Sequence, residues 1–393
     1  MNETIYMPVG EVCSSISDTY REKKNMVTLI NTSDVLEGRV LNHERVPNSN
    51  LKGQFKKTFQ RDDILYSEIR PQNRRFAYVD FSPIDYIAST KLMVIRAKKD
   101  VVSPKYLYYF LKNSSTVAEL QLLAETRSGT FPQITFSEVA NLTIPVPPLA
   151  VQEVIVQTMQ CLEDKITCNE QINDNLEQQA QSYFQELFVD NADPEWTTGS
   201  ISDLGVVVGG STPSKAKPEY YTESGIAWIT PKDLSINKSK FISHGENDIT
   251  ELGLKNSSAT IMPEGTVLFS SRAPIGYIAI AAGEVTTNQG FKSVVPKPGI
   301  GTPFVYFFLK NTLPVIEGMA SGSTFKEVSG STMKNVPAVI PDAETLAKFS
   351  DFCAPIFAQQ RILEEQNQSL ATLRDNLLPK LMSGEIDVSD VQL

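Results

Sequence analysis

The sequence is poor in the residues from which small catalytic centres are built. Its 393 residues include only two histidines, His43 and His244, which leaves little for imidazole-based metal or triad chemistry. Four cysteines, Cys13, Cys161, Cys168 and Cys353, form no C-x-x-C pair. Neither a zinc site nor a disulfide framework is expected from them, and they read as reduced thiols. No G-x-x-x-x-G-K-[ST] occurs; GGSTPSK at 209–215 has the wrong spacing and reads as a turn. A dinucleotide fingerprint, an Asn-Pro-Pro-aromatic tetrapeptide and an acid/lysine nuclease cluster are also missing. Glu344 and Lys348, in DAETLAK, fall in the first turns of a helix. No apolar run approaches the roughly 18–20 residues of a membrane helix, and MNETIYMPVGEV lacks the basic and apolar regions of a secretory signal. Neither a catalytic residue nor a metal ligand is expected on this chain.

What is present is ordinary globular composition, with 41% hydrophobic and 21% charged residues. The net charge of −10 is unevenly placed. Residues 1–150 carry 19 basic against 16 acidic side chains, and residues 197–341 carry 12 against 11. Residues 151–196 carry 1 against 10, and residues 342–393 carry 4 against 9. Two near-neutral blocks alternate with two acidic ones, so the whole-chain charge says little about what the larger blocks bind.

The blocks are copies of one another. YLYYFLKN at 106–113 returns as FVYFFLKN at 304–311, with five of eight residues identical. VTLINTSDV at 27–35 parallels IAWITPKDL at 226–234. DILYSEIRP at 63–71 parallels TVLFSSRAP at 266–274, a strand-like run closed by an arginine and a proline. SGTFPQITFSEVANLTIPVP at 128–147 parallels SGSTFKEVSGSTMKNVPAVIP at 321–341, in a constant 194-residue register from Asn141 and Asn335 onward. So many matches in one order mean a duplication. Each copy starts with roughly 145 residues of short β-branched and aromatic runs between Gly, Pro, Ser and Asn, which predicts a compact α/β (α+β) domain. Helices are expected near Lys105–Asn113 and Phe136–Leu142, and near Pro303–Asn311 and Gly330–Val336.

After VPPL at 146–149 and VIPD at 339–342, each copy runs about 40 residues in helical periodicity. Ile155, Met159, Leu162, Ile166, Ile172, Leu176, Ala180, Tyr183 and Leu187 mark the first apolar stripe. Phe349, Phe352, Ile356, Leu363, Leu370, Leu373, Leu377 and Leu381 mark the second, in which Pro355 should kink or open the helix. Such rods are about 60 Å long. Each stripe either packs on its own domain or pairs with the other rod. Antiparallel coiled-coil pairing would give a pseudo-two-fold dumbbell with two similar heads.

Polar residues at turns are the candidates for ligand contact. In the first head these are Lys23, Lys24, Arg70, Gln72, Asn73, Arg74, Arg75 and Arg127. In the second they are Ser211, Thr212, Lys215, Lys217, Arg272, Asn288, Gln289, Ser323 and Thr324. Arg, Gln and Asn reach base edges bidentately in a major groove, and Arg and Lys hold phosphates. Taken singly, each is also an ordinary solvated surface residue. Paired segments keep their apolar positions and change their polar ones, a pattern that suits one frame reading two targets.

DILYS and TVLFS, YLYYFLKN and FVYFFLKN, SGTF and SGSTF, IPVPPLAVQ, and above all LRDNLLPKLMSGEI at 373–386 resemble the specificity subunits of Type I restriction–modification systems. The likeness spans essentially the whole chain. The usual Glu-Gln after the proline turn reads Val151–Gln152 and Thr345–Leu346 here, and Asn288–Gln289 faces Ser89–Thr90 in the first copy. The resemblance implies target-recognition domains at 1–147 and 191–341, spacer helices at 148–190 and 342–383, and a tail at 384–393. It implies a non-catalytic, cytoplasmic subunit that reads a bipartite site in double-stranded DNA, one half-site per domain. Two methyltransferase subunits, using S-adenosylmethionine on adenine, and ATP- and Mg-dependent restriction subunits would be its partners, with no cofactor on this chain and no membrane. The competing expectations are a coiled-coil scaffold whose heads bind protein, and an orphan specificity protein serving modification only.

Overall fold

The computed structural model describes residues 4–49, 53–127, 130–322 and 326–388. The chain divides into two compact units, Met1–Ile166 with Ser369–Leu393, and Thr167–Gln368. Each unit contains one α/β head and stretches of both long helices.

The first head starts and ends in one short ladder. Ile5–Pro8 runs antiparallel to Thr143–Val146, with Ile5 opposite Val146 and Pro8 opposite Thr143. Behind it is an antiparallel sheet in the order Cys13–Ile16, Leu92–Ala97, Ile64–Ser67, Phe76–Tyr78. A second sheet runs Val46–Pro47, Met26–Ile30, Tyr86–Ser89, Phe55–Lys57, and Met26–Ile30 and Tyr86–Ser89 are parallel neighbours. Both faces of Ile64–Ser67 are buried, which is why its sequence is a continuous run and not an alternation.

The second head repeats this plan residue for residue at its closure. Thr197–Ser200 pairs antiparallel with Pro337–Ile340, Thr197 opposite Ile340 and Ser200 opposite Pro337. Offsets of 192 and 194 residues carry the first ladder onto this one in the same register. The main sheet runs Gly205–Gly209, Lys292–Pro296, Val267–Ser271, Ile275–Ala281, with Phe241–Ile242 added at one edge. The smaller sheet runs Tyr221–Thr222, Asn247–Ile249, Ile226–Ile229, Thr286–Thr287, again with one parallel pair.

The repeated octapeptide forms the helix Pro104–Lys112 in the first head. Asn113 leaves the helical region there, and a separate helix Ser114–Arg127 follows. In the second head the helix continues as one piece, Thr302–Gly318, beyond the expected Asn311. Helices Phe136–Ala140 and Gly330–Lys334 occupy equivalent places, the first closed by a Thr135/Glu138 capping box.

The two long helices are Leu149–Gln185, extended by a π-turn over Glu186–Asp190, and Ala343–Ser383. The second runs on through Pro355, so the proline does not end it. Pro355 is exposed, so water can serve the carbonyl that its missing N–H leaves unpaired. In the first unit Ile155, Val156 and Met159 share one core with Tyr106, Leu107 and Tyr109 of the head and with Leu378, Leu381 and Met382. Val388, in the tail, is buried in the same core. In the second unit Asn169 Nδ2 donates to Asn367 Oδ1 (2.8 Å), Gln360 Nε2 to the Asn173 carbonyl (3.2 Å), and Tyr183 meets Phe352 at 4.5 Å between ring centroids. Partner numbers fall as the first helix rises, so within the second unit the two helices are antiparallel. The two alternatives for the stripe therefore both occur: it packs on the head and on the other helix.

The octapeptide lysine anchors each head to a helix. Lys112 is ion-paired with Glu163, and Tyr109 Oη donates to the same carboxylate (2.8 Å). In the second unit Lys310 Nζ lies 2.5 Å from Glu177 Oε1, Tyr306 Oη donates to it (3.1 Å), and Lys240 pairs with the other oxygen. Lys240 also donates to Gln360 Oε1 (2.7 Å) and lies over the Phe357 ring at 3.9 Å. Burial would push the Glu177 carboxyl up, but the Lys240 and Lys310 ammonium groups hold it below its ordinary value. Burial itself pulls Lys240 and Lys112 down.

Candidate nucleic-acid interface

In the second head four segments converge at one end of the main sheet: residues 209–213, 271–274, 287–292 and 326–328. Ser211 N–H donates to the Thr287 carbonyl (2.9 Å), and Ser271 N–H to the Gly290 carbonyl (2.7 Å). Thr212 Oγ1 donates to Gln289 Oε1, and the Ser211 carbonyl accepts from Trp228 Nε1 (3.0 Å). Gly210 explains the glycine pair of GGSTPSK. A Cβ there would lie 1.9 Å from the Asn288 carbonyl oxygen, so the glycine serves close approach of two loops. Asn288 Oδ1 accepts from Gly290 N–H (2.8 Å), which shapes the turn and leaves Gln289 exposed. Arg272 Nη1 lies 3.5 Å and Lys292 Nζ 3.8 Å from the Glu327 carboxylate. Lys292 also donates to the Gln289 (3.4 Å) and Phe291 (3.3 Å) carbonyls, and burial draws its pKa down, with Arg272 adding to the effect.

Thus Ser211, Thr212, Arg272, Asn288 and Gln289 come together. Lys215 and Lys217 lie farther along the same loop, both exposed, with Lys217 Nζ 3.0 Å from Tyr220 Oη. Ser323 and Thr324 fall outside the described residues.

The first head builds the same end differently. Lys91 Nζ donates to Glu68 Oε2 (3.3 Å) and Gln133 Oε1 (3.1 Å). Lys57 Nζ donates to the Thr90 (3.1 Å) and Leu92 (2.8 Å) carbonyls. Burial lowers the Lys57 pKa, against the opposing pull of Glu68. Arg70, Gln72 and Asn73 are exposed around the short 3-10 turn Pro71–Asn73. Arg74 Nη2 donates to Ser114 Oγ (2.8 Å), and Arg75 Nη1 to the Ser33 carbonyl (3.0 Å), so both guanidinium groups already hold neighbouring segments. Arg127 pairs with Glu138 at 2.7 Å. Lys23 and Lys24 are exposed in the loop after Cys13–Ile16, and Lys24 lies 3.9 Å from Glu22.

Hydrogen bonds fix which positions correspond. Ile134 N–H donates to the Glu68 carbonyl, and Val328 N–H, 194 residues later, to the Ser271 carbonyl. Glu68 therefore matches Ser271, Arg70 matches Ala273, and Ile69 matches Arg272. In the paired runs closed by an arginine and a proline, Arg272 therefore sits one position earlier in the turn than Arg70. The strained backbone is kept where the side chain is not. Arg70 and Ala273 both adopt left-handed conformations before proline, with φ of 43° and 52°.

The chain matches the family described as the Type I restriction modification DNA specificity domain twice, at residues 6–178 and 194–373. It belongs to that family. A relative from Haemophilus influenzae, the Type I restriction enzyme HindI specificity subunit, is 29% identical over 92% of this chain and 94% of its own length. The MjaIX specificity subunit of Methanocaldococcus jannaschii is 40% identical over 46% of this chain and 44% of its own. The crystal structure of a Type I restriction–modification system S subunit from M. genitalium shares the fold at a TM-score of 0.55 and 16% identity, covering 97% and 96% of the two chains.

Within this specificity-family frame the sequence reading missed Lys57, Glu68, Lys91, Gln133, Lys292 and Glu327. Only the position of Lys91 and Lys292, at the start of a buried strand after a turn, offered a signal. Their partners lie 23–42 and 35 residues away and become neighbours only through the sheet.

Proposed function

We propose that this chain is the non-catalytic specificity subunit of a Type I restriction–modification system, each head reading one half of a bipartite DNA site. The observation that supports this most directly is the pair of loop ends on one preserved frame. Ladder register, the order of the four shared main-sheet strands and backbone strain are kept, while Ser89–Thr90 becomes Asn288–Gln289 and Ile69–Arg70 becomes Arg272–Ala273. Side chains that reach base edges differ at the same turns, as two readers of different sequence require. On this reading the long helices set the distance between half-sites and offer the surface for two methyltransferase subunits and for restriction subunits. S-adenosylmethionine, ATP and Mg belong to those partners, adenine is the methylated base, and the complex works in the cytoplasm.

The test is exchange of residues 1–147 for the corresponding head of a relative, followed by methylome sequencing. One half-site should change and the other stay. A change in both, or in neither, contradicts the proposal. Inserting four residues near Gln171 should alter the spacer and leave both half-site sequences as they are.

A further inference from the structure

At each loop end a carboxylate already stands beside a cation. In the second head Glu327 faces Arg272 and Lys292, and in the first Glu68 faces Lys91. The carboxylate does not stand at one inherited position: Glu68 matches Ser271, and Glu327 matches Gln133. Each head has acquired its own acid beside its own cations, which argues for a role and against a relic of the duplication. The Arg272–Glu327 pair is 37% and 39% exposed, so it is screened and displaceable.

We propose that Glu327 and Glu68 are specificity-determining residues that act as internal competitors of DNA phosphate. This rests on the reading of the loop ends as DNA-facing. Glu327 holds Arg272 and Lys292, Glu68 holds Lys91, and each carboxylate repels the DNA backbone, so charge alone does not retain a duplex. Only a duplex whose bases the loops also match gains enough to displace the internal pair. The near-neutral charge of the two heads, in a chain whose net negative charge lies in its helical segments, has the same consequence.

The experiment measures binding of a random-sequence 40-base-pair duplex to the full chain by fluorescence anisotropy, across a salt series. Glu327→Gln, Glu68→Gln and the double variant are compared with Glu284→Gln. This control removes the same charge in the exposed turn at the other end of the strand Ile275–Ala281. Gln is an isosteric choice, and it is the residue the first head carries at the position of Glu327. Each test variant should bind about 3–10-fold more tightly than the control at low salt, with a salt slope steeper by about one ion. Adding Arg272→Ala to Glu327→Gln should abolish most of that gain. Binding by Glu327→Gln and Glu68→Gln equal to the control overturns the proposal, as does a gain that survives loss of both Arg272 and Lys292. Failure of the underlying reading is a separate result, a methylome that head exchange leaves unaltered.

Discussion

The two heads share a frame but not the way they are fastened. Lys112 meets Glu163, a single carboxylate near the start of the first spacer helix. Lys310 meets Glu177, farther along that same helix, and shares it with Lys240. The residue 194 positions after Glu163 is Phe357, which lies under Lys240 in place of a carboxylate. What duplication preserved is a lysine at the end of the octapeptide helix that needs a buried anion. The anion itself was supplied anew from whichever helical stretch lay against each head. The loop ends teach the same lesson: Lys57 and Lys292 hold equivalent carbonyl pairs from different strands.

This difference can be broken most severely in the second unit. Glu177→Ala leaves Lys240 and Lys310 without their carboxylate, and Lys240 is only 6% exposed. A loss of about 3–5 kcal/mol is expected in denaturant unfolding, because a buried charge without its partner is costly. Glu163→Ala strands one lysine, itself supported by the Tyr108 and Tyr109 rings, and should cost about 1–3 kcal/mol. Equal losses would mean that the two anchorages do the same work.

Acid should weaken the second anchorage through Glu177. Its folded pKa lies below the ordinary 4.5, so its contribution is complete above that value and is lost as the pH falls through the folded one. Glu364, pushed up by burial, changes in the opposite sense and takes up a proton in the folded chain first. Unfolding midpoints of the wild type and Glu177→Gln, followed from pH 7 to 3, should converge as the pH falls.

Smaller effects sharpen the comparison at the loop ends. Lys292→Met removes the donor to the Gln289 and Phe291 carbonyls, and Lys57→Met the donor to their first-head equivalents. Each should cost about 1 kcal/mol in stability. Each should relax sequence preference at its own half-site alone, read from methylome maps. Smallest of all, Lys215→Ala with Lys217→Ala should leave stability within about 0.5 kcal/mol. Unfolding curves check that, and a salt series should show weaker binding that does not depend on sequence.

How far the sequence carried the reading follows from which interactions are local. The duplication, the octapeptide helices and both long helices were legible, because periodicity and proline stops are local signals. The closing ladders were not: Ile5–Pro8 and Thr197–Ser200 pair with strands about 140 residues away and share no motif. That the second long helix runs on through Pro355 was not legible, because the exposed position that makes the proline tolerable is a tertiary fact. At the loop ends, Asn288–Gln289 and Ser89–Thr90 were matched correctly from sequence, since a parallel strand pair fixes both. The ion pairs were missed because sheet topology, and no spacing rule, brings Glu327 to Arg272.

The central claim is that one frame is used twice and that its loops carry the reading. Grafting the first head's turn residues at 69–75, 89–92 and 132–138 onto the equivalent turns of the second head tests it directly. Methylome sequencing of cells carrying that chain with its partner subunits should show the second half-site converted toward the first, the first unchanged and the spacer length the same. A second half-site that keeps its original sequence, or a change in the first, would contradict the account.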